Sequence, residues 1–158
     1  MRCVIQRSGP ARVSVDGREI GAIERGLVVL AAFAPTDTDA ELEWMARKLP
    51  GLRIFEDDAG KMNLSLREAG GGILLVSQFT LYGDCRKGNR PGFSGSAAPA
   101  VAEAMYDRFG GLLRRQWPAV AEGEFGAMMD VQLTNQGPVT LIVDRDAPAA
   151  GAGGGDGR

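Results

Sequence analysis

The chain has 158 residues, with 18 Lys and Arg against 20 Asp and Glu and a net charge of −2. The overall basic field of a polycationic nucleic-acid binder is excluded, although a local basic patch is not. There is no histidine, which removes the Ser-His-Asp triad, the Cys-His dyad, His-ligated zinc and imidazole acid–base chemistry, and the two cysteines are too few for a four-Cys zinc site or a disulfide framework.

In chain order, residues 1–7 alternate as a strand, with Met1, Cys3 and Ile5 on one face and Cys3 read as a small buried hydrophobe. Residues 11–15 form a second strand, Asp16-Gly17 is a hairpin turn, and 18–23 return as a third. The run 26–33 (GLVVLAAF) is Val-rich and too short for most helices, so it reads as a buried strand. Thr38 with Glu41 forms a capping box, and Leu42, Met45, Ala46 and Leu49 follow at helical spacing until Pro50-Gly51. Residues 52–55 read as strand, 56–61 as a polar turn, and 73–82 (ILLVSQFTLY) as one long strand whose second half turns polar.

Residues 83–99 are a Gly-, Ser- and Pro-rich surface loop carrying three cations within 86–90. A second helix starts near Pro99, with Val101, Met105, Phe109 and Leu112 as its buried stripe and Gly110-Gly111 weakening its end. Residues 124–134 and 139–143 are strands on either side of a tight NQGP segment. Residues 145–158 are Gly- and Ala-rich and read as a disordered tail, leaving 1–144 as one domain. Many strands with two helices indicate an α/β or α+β domain, its sheet layers covered by helices on one face. No stretch approaches the ~20 apolar residues of a membrane span, and no long apolar run follows the first charges. A cytoplasmic protein is expected.

Without histidine, catalysis falls to hydroxyls, carboxylates, Lys or Arg, backbone amides or the substrate itself. The first candidate is 77–84 (SQFTLYGD), where polar residues close an apolar strand and main-chain N–H groups can point outward. The competing reading, favoured by pattern alone, is an amphipathic strand end chosen for β-propensity. The second is 135–140 (NQGPVT), either a plain turn or a place where Gly lets backbone approach a ligand and Pro fixes it. The third is the basic loop at Arg86, Lys87 and Arg90, either solvated or touching a few phosphates. Arg7 is an edge-strand charge or an internal hydrogen-bonding clamp. The acidic run at Glu56, Asp57 and Asp58 lacks the spacing of a calcium loop and reads as a solvated turn.

Together these segments resemble the D-aminoacyl-tRNA deacylase family. SQFTLYGD and NQGPVT are similar to its two signature motifs, supported by 1–7 (MRCVIQR), 52–66 (LRIFEDDAGKMNLSL), 84–91 (DCRKGNRP) and 123–133 (GEFGAMMDVQL). The resemblance implies a layered α/β/β barrel-like domain, mostly antiparallel, with two main helices on one face. It implies a homodimer that hydrolyses the ester joining a D-amino acid, or glycine, to the tRNA 3′ end, with no metal or organic cofactor, no membrane and no DNA partner.

Carried over, Gly137-Pro138 is the family's Gly-cis-Pro dipeptide, reaching into the partner subunit's site, where its carbonyl oxygens crowd an L side chain. Arg7 orients it. The segment from Ser77 to Thr80 supplies backbone donors to the oxyanion at Gln78, Phe79 and Thr80, and Phe79 offers a surface for the terminal adenine. Met129, Asn135 and Arg86 support the motifs or the substrate. Thr80 is either a nucleophile or a site-lining group; since a Thr hydroxyl needs a base, water assisted by the substrate's 2′-OH is the favoured route. Pro10 departs from the family pattern at the first turn, and Gly92 loosens the basic loop. Two alternatives stand beside this reading: a Thr-dependent small-ester hydrolase, and a non-catalytic module that binds the tRNA end.

Overall fold

The apolar run at the centre of the sequence forms β3 (Gly26–Ala32), and its uninterrupted hydrophobicity has a direct cause: it is buried on both faces. Leu27, Val29 and Ala31 enter one apolar cluster and Val28 enters a second, with Leu30 packed against it. The computed structural model describes residues 1–148, so the expectation of a disordered tail lies, from 149 onward, outside the described residues.

On one edge of β3 runs β1 (Arg2–Val15), antiparallel and paired from Arg2↔Ala32 to Ser8↔Gly26. The second half of β1 pairs with β2 (Arg18–Ile23) through the Asp16-Gly17 turn, so β2 and β3 follow one another along the same edge. The opposite edge of β1 is taken by β8 (Met129–Asp144), antiparallel from Arg2↔Asp144 to Val15↔Met129. On the far side of β3, β6 (Gly72–Ser77) and then β7 (Val120–Glu122) add in parallel. The sheet curls until β7 faces β2, so closely that a Cβ on Gly21 would lie 2.8 Å from the Glu122 carbonyl oxygen. This is the nearly closed, mostly antiparallel barrel-like sheet that was expected.

Helices α1 (Asp39–Lys48) and α3 (Pro99–Gln116) cover the face carrying Met1, Cys3, Ile5, Leu27 and Leu75. The other face folds onto Ala11 and Val13 of β1 and Met129, Val131 and Leu133 of β8. A small hairpin, β4 (Phe55–Glu56) and β5 (Met62–Leu64), and the single turn α2 (Leu66–Ala69) complete the described elements. No helix among the described residues is long and apolar enough to cross a membrane. Cys3 is buried and Cys85 exposed, and both are free thiols.

Several boundaries differ from the sequence reading. The strands expected at 1–7 and 11–15 are one strand, because the ladder slips between Ser8 and Ala11 and leaves Pro10 with no bond to donate. For the same reason β8 runs straight through 129–144, with irregular pairing around Gly137-Pro138, instead of stopping on either side of a turn. The strand expected at 52–55 is reduced to β4. That expected at 73–82 ends at Ser77, where its partner β3 runs out; Phe79–Tyr82 coils into a 3₁₀ turn.

In α3 the buried stripe is Ala102, Tyr106, Phe109, Leu112 and Leu113, while Val101 is 46% exposed. The Tyr106 hydroxyl lies 3.0 Å from the Leu75 carbonyl oxygen and 3.1 Å from that of Gly123, which sets the rotation of the helix. The helix continues past Gly110-Gly111 to Gln116, and a side chain at Gly110 would collide with the Glu122 carboxylate on β7.

The capping box at Thr38 and Glu41 forms as read, and the Thr38 hydroxyl and backbone hold the Glu41 carboxyl below the usual carboxylate range despite its burial. The Met1 ammonium is buried and donates to Asp37 at 2.5 Å and to the Arg145 carbonyl at 2.6 Å, while the Arg145 guanidinium lies over the Trp44 ring.

Two predictions test this packing. Phe109 is fully buried and meets Phe33 edge-on, so Phe109→Ala is expected to cost about 3–5 kcal/mol in urea unfolding. The lowered carboxyl of Glu41 stabilises the fold above the unfolded pKa of about 4.3, and that contribution is lost as pH falls through the folded value. The gap in urea midpoint between wild type and Glu41→Gln is therefore expected to be widest near neutrality and to narrow below about pH 4.

Candidate active site

Two groups of sequence-predicted residues assemble in different parts of the chain. The first sits where β6 leaves the sheet. The Gln78 N–H donates to the Ala31 carbonyl at 2.8 Å, the last rung of the sheet at that edge, and the chain then turns through Phe79–Tyr82. The turn closes with Leu81 N–H to the Gln78 carbonyl at 3.2 Å and Gly83 N–H to the Thr80 carbonyl at 2.9 Å. The N–H groups of Phe79 and Thr80 make no hydrogen bond among the described residues. Of the three backbone donors read from the sequence, Gln78 is therefore spent on the sheet, and Phe79 and Thr80 stand free side by side.

Thr80 is exposed, and its hydroxyl oxygen accepts from Gln78 Nε2 at 2.5 Å. An amide is not a base in either orientation, so this contact positions Thr80 without activating it. Phe79 is 53% exposed and packs edge-to-face with Phe93 at 5.1 Å, an apolar platform beside the two free amides. Phe93 was missed by the sequence reading because it lies in the loop, with no periodicity to mark it. Ser77 closes β6 and is half-buried. Met129 joins the second apolar cluster with Leu74 and Val76; a Cβ on Gly123 would meet its sulfur at 2.7 Å, and the Gly123 N–H bonds the Leu75 carbonyl. Met129 thus belongs to the β6 side of the molecule.

The second group lies around Gly137-Pro138, a cis peptide with Gly137 at φ +120. Arg7 is 8% exposed and ties three elements together. Its Nε donates to the Gln136 carbonyl at 3.1 Å, Nη1 to the Ile54 carbonyl at 2.8 Å, and Nη2 lies 3.4 Å from Glu56 Oε1. The internal-clamp reading of Arg7 is the one the geometry supports. Asn135 braces the same bend: Oδ1 accepts the Val139 N–H at 3.1 Å, and Nδ2 donates to Thr140 Oγ1 at 2.7 Å. The acidic run behaves as a turn, with Asp57 accepting from the Ala59 and Lys61 N–H groups and from Asn63.

The two groups do not meet within one chain. Ser77 is level with Ala31, Cys3 and Val143 across the sheet, whereas Gly137 lies at the level of Arg7. Three strand spacings and four residues of rise put them on the order of 15–20 Å apart.

Beside the first group, a cavity of about 660 Å³ opens between Arg2, Tyr82, Asp84, Cys85 and Arg86. Arg86 is paired with Asp84 through two bonds, at 2.8 and 2.7 Å, which lowers the Asp84 carboxyl below its usual range. Its charge is thereby largely offset, while Lys87 and Arg90 form no ion pair among the described residues.

The family model described as D-Tyr-tRNA(Tyr) deacylase matches residues 4–144, and the chain belongs to that family. It is an enzyme of the D-aminoacyl-tRNA deacylase class, hydrolases of the ester between amino acid and tRNA. A D-aminoacyl-tRNA deacylase of Desulfatibacillum aliphaticivorans is 59% identical over 144 residues, 91% of this chain and 99% of the relative. A solved structure titled c-Myc DNA Unwinding Element Binding Protein superposes with a TM-score of 0.88 at 41% identity, covering 93% of this chain and all of the other. A probable eukaryotic D-amino acid tRNA deacylase shares the fold, with a TM-score of 0.80 at 23% identity over 91% of this chain and 98% of its own.

The clamp at Arg7 has a measurable cost of removal. Arg7→Ala leaves the Ile54 and Gln136 carbonyls without their donor and is expected to lower unfolding free energy by about 1–3 kcal/mol in urea titration. Arg7→Lys, with one ammonium in place of a planar fork, is expected to recover less than half of that loss.

Proposed function

We propose that this protein hydrolyses the ester joining a D-amino acid, or glycine, to the 3′ end of tRNA, and that it rejects L-aminoacyl esters through Gly137-Pro138 contributed by a second copy of the chain. The observation that carries the reading is the separation of the two groups. Each is built in detail, and a substrate reaches both only if another protomer brings its Gly137-Pro138 to the Phe79–Thr80 amides. The outer edge of β8 supports such a pairing: it has no strand partner among the described residues along its 16 residues, and Ile142 on it is 67% exposed.

In this scheme the 3′-terminal adenine rests on Phe79 and Phe93, and the ester carbonyl oxygen faces the N–H groups of Phe79 and Thr80. As water attacks, negative charge develops on that oxygen; each preorganised donor of this kind is typically worth about 2.7–4 kcal/mol of transition-state stabilisation. The carbon–water bond forms, the bond to the ribose 3′ oxygen breaks, and the vicinal 2′-OH relays the proton to the leaving 3′ oxygen. The products are a free amino acid and a tRNA ending in 3′-OH. With no histidine in the chain and an amide as the partner of the Thr80 hydroxyl, the proton transfers are assigned to the substrate's own 2′-OH. The carbonyl oxygens of Gly137 and Pro138 occupy the position of an L side chain, leaving room for the hydrogen of glycine or of a D residue, so selection is by exclusion. Lys87 and Arg90, on the loop after the turn, are free of ion pairs among the described residues and touch RNA phosphates, and so few contacts make the salt dependence shallow. The reading is of a cytoplasmic enzyme.

Purified protein is expected to release tyrosine from D-Tyr-tRNA and to leave L-Tyr-tRNA intact; equal rates on both would sink the reading. Thr80→Ala is expected to retain most of the activity, and its complete inactivity would instead support a covalent Thr80 route. In Gly137→Ala the new Cβ would lie 2.7 Å from Arg7 Nη2 and 2.9 Å from Val139 Cγ2, at a φ that L residues rarely adopt. Hydrolysis of D-Tyr-tRNA is expected to fall at least tenfold, against a stability cost of about 1–3 kcal/mol. Sedimentation should show a dimer.

A further inference from the structure

We infer that Arg2 is a positioning residue for hydrolysis, holding the turn that aims the Phe79 and Thr80 amides. The inference rests on the proposed function, in which those amides receive the developing charge. Among the described residues, two hydrogen bonds tie the turn to the sheet. At its start, Gln78 N–H is bonded to the Ala31 carbonyl. At its end, the Leu81 carbonyl accepts from Arg2 Nη1 at 3.1 Å.

Arg2 is itself held on two further sides. Its Nε and Nη2 donate to the two carboxylate oxygens of Asp144 at 2.7 and 3.2 Å, and its guanidinium carbon lies 5.4 Å from the centre of the Tyr82 ring. Arg2 and Asp144 are direct partners across the β1–β8 ladder, so the sheet register sets the fork in place before it meets the turn. A planar guanidinium satisfies the carboxylate, the carbonyl and the aromatic face together; an ammonium does not. Without this second attachment the turn pivots about Gln78, and the free amides lose a fixed direction. The same contacts argue against Arg2 as a grip on RNA, because its charge is already matched by Asp144.

The experiment compares the full chain with Arg2→Ala, Arg2→Lys and Asp144→Asn. For D-Tyr-tRNA, kcat in Arg2→Ala is expected to fall at least about tenfold, with KM within twofold of wild type. Arg2→Lys should recover little of this, and Asp144→Asn should lie between. Amide ¹H–¹⁵N resonances of Phe79 and Thr80 should move in Arg2→Ala while that of Gly137 stays. A raised KM with unchanged kcat would assign Arg2 to RNA binding and overturn the inference. Full rescue by lysine, or unmoved Phe79 and Thr80 resonances, would overturn it as well. If wild type releases no D-amino acid, the deacylase scheme falls separately, and the resonances alone decide whether Arg2 holds the turn.

Discussion

Strand β1 is hydrogen-bonded along both edges for most of its 14 residues, and most of what matters in this molecule is attached to it. One edge receives β3 and then β2, the other receives the whole of β8, and the slip between Ser8 and Ala11 bends all of them together. That bend lets one sheet present two apolar faces, one to the helices and one to its own folded-over half. It also places Arg7 where a guanidinium reaches β8 and the β4 segment at once. Arg2, five residues earlier on the same strand, reaches the turn after β6.

In the proposed scheme the chemistry is carried by main chain. The free donors are the amides of Phe79 and Thr80, and the candidate selector is a Gly-Pro dipeptide held by Arg7 and Asn135. Side chains near both groups position them: Arg7 fixes a carbonyl, Gln78 occupies the Thr80 hydroxyl, and Arg2 fixes the end of a turn. Backbone dipoles need no titratable partner, which suits a chain without histidine. They do need rigid anchoring, because a donor misaimed by an ångström loses much of its worth.

The legible parts of the fold were those governed by local rules. The capping box at Thr38, the hairpin at Asp16-Gly17 and the doubly buried β3 all follow from neighbours in sequence, and all are where the pattern put them. The parts misread were decided by partners far away in the chain. Pro10 and Gly137-Pro138 look like strand breaks, yet both lie inside strands, because the opposing ladder slips at those rungs. The polar end of 73–82 alternates like a strand, but β3 offers it no further rung. The stripe of α3 was misread at Val101 alone, because the helix turns Tyr106, a polar aromatic, inward to reach two carbonyls; Phe109 and Leu112 are buried as expected.

The candidate site divides along the same line. Residue identities alone determined the absence of imidazole chemistry, the two motif segments and the family they resemble, since composition and short patterns survive without coordinates. Which amides remain unpaired, what Arg7 and Arg2 hold, and how far Gly137 lies from Phe79 in one chain were decided only by tertiary structure. The physical reason is that a backbone N–H has the same covalent form at every position. Whether it is spent in a ladder, as at Gln78, or left free, as at Phe79 and Thr80, depends on where a distant strand comes to an end.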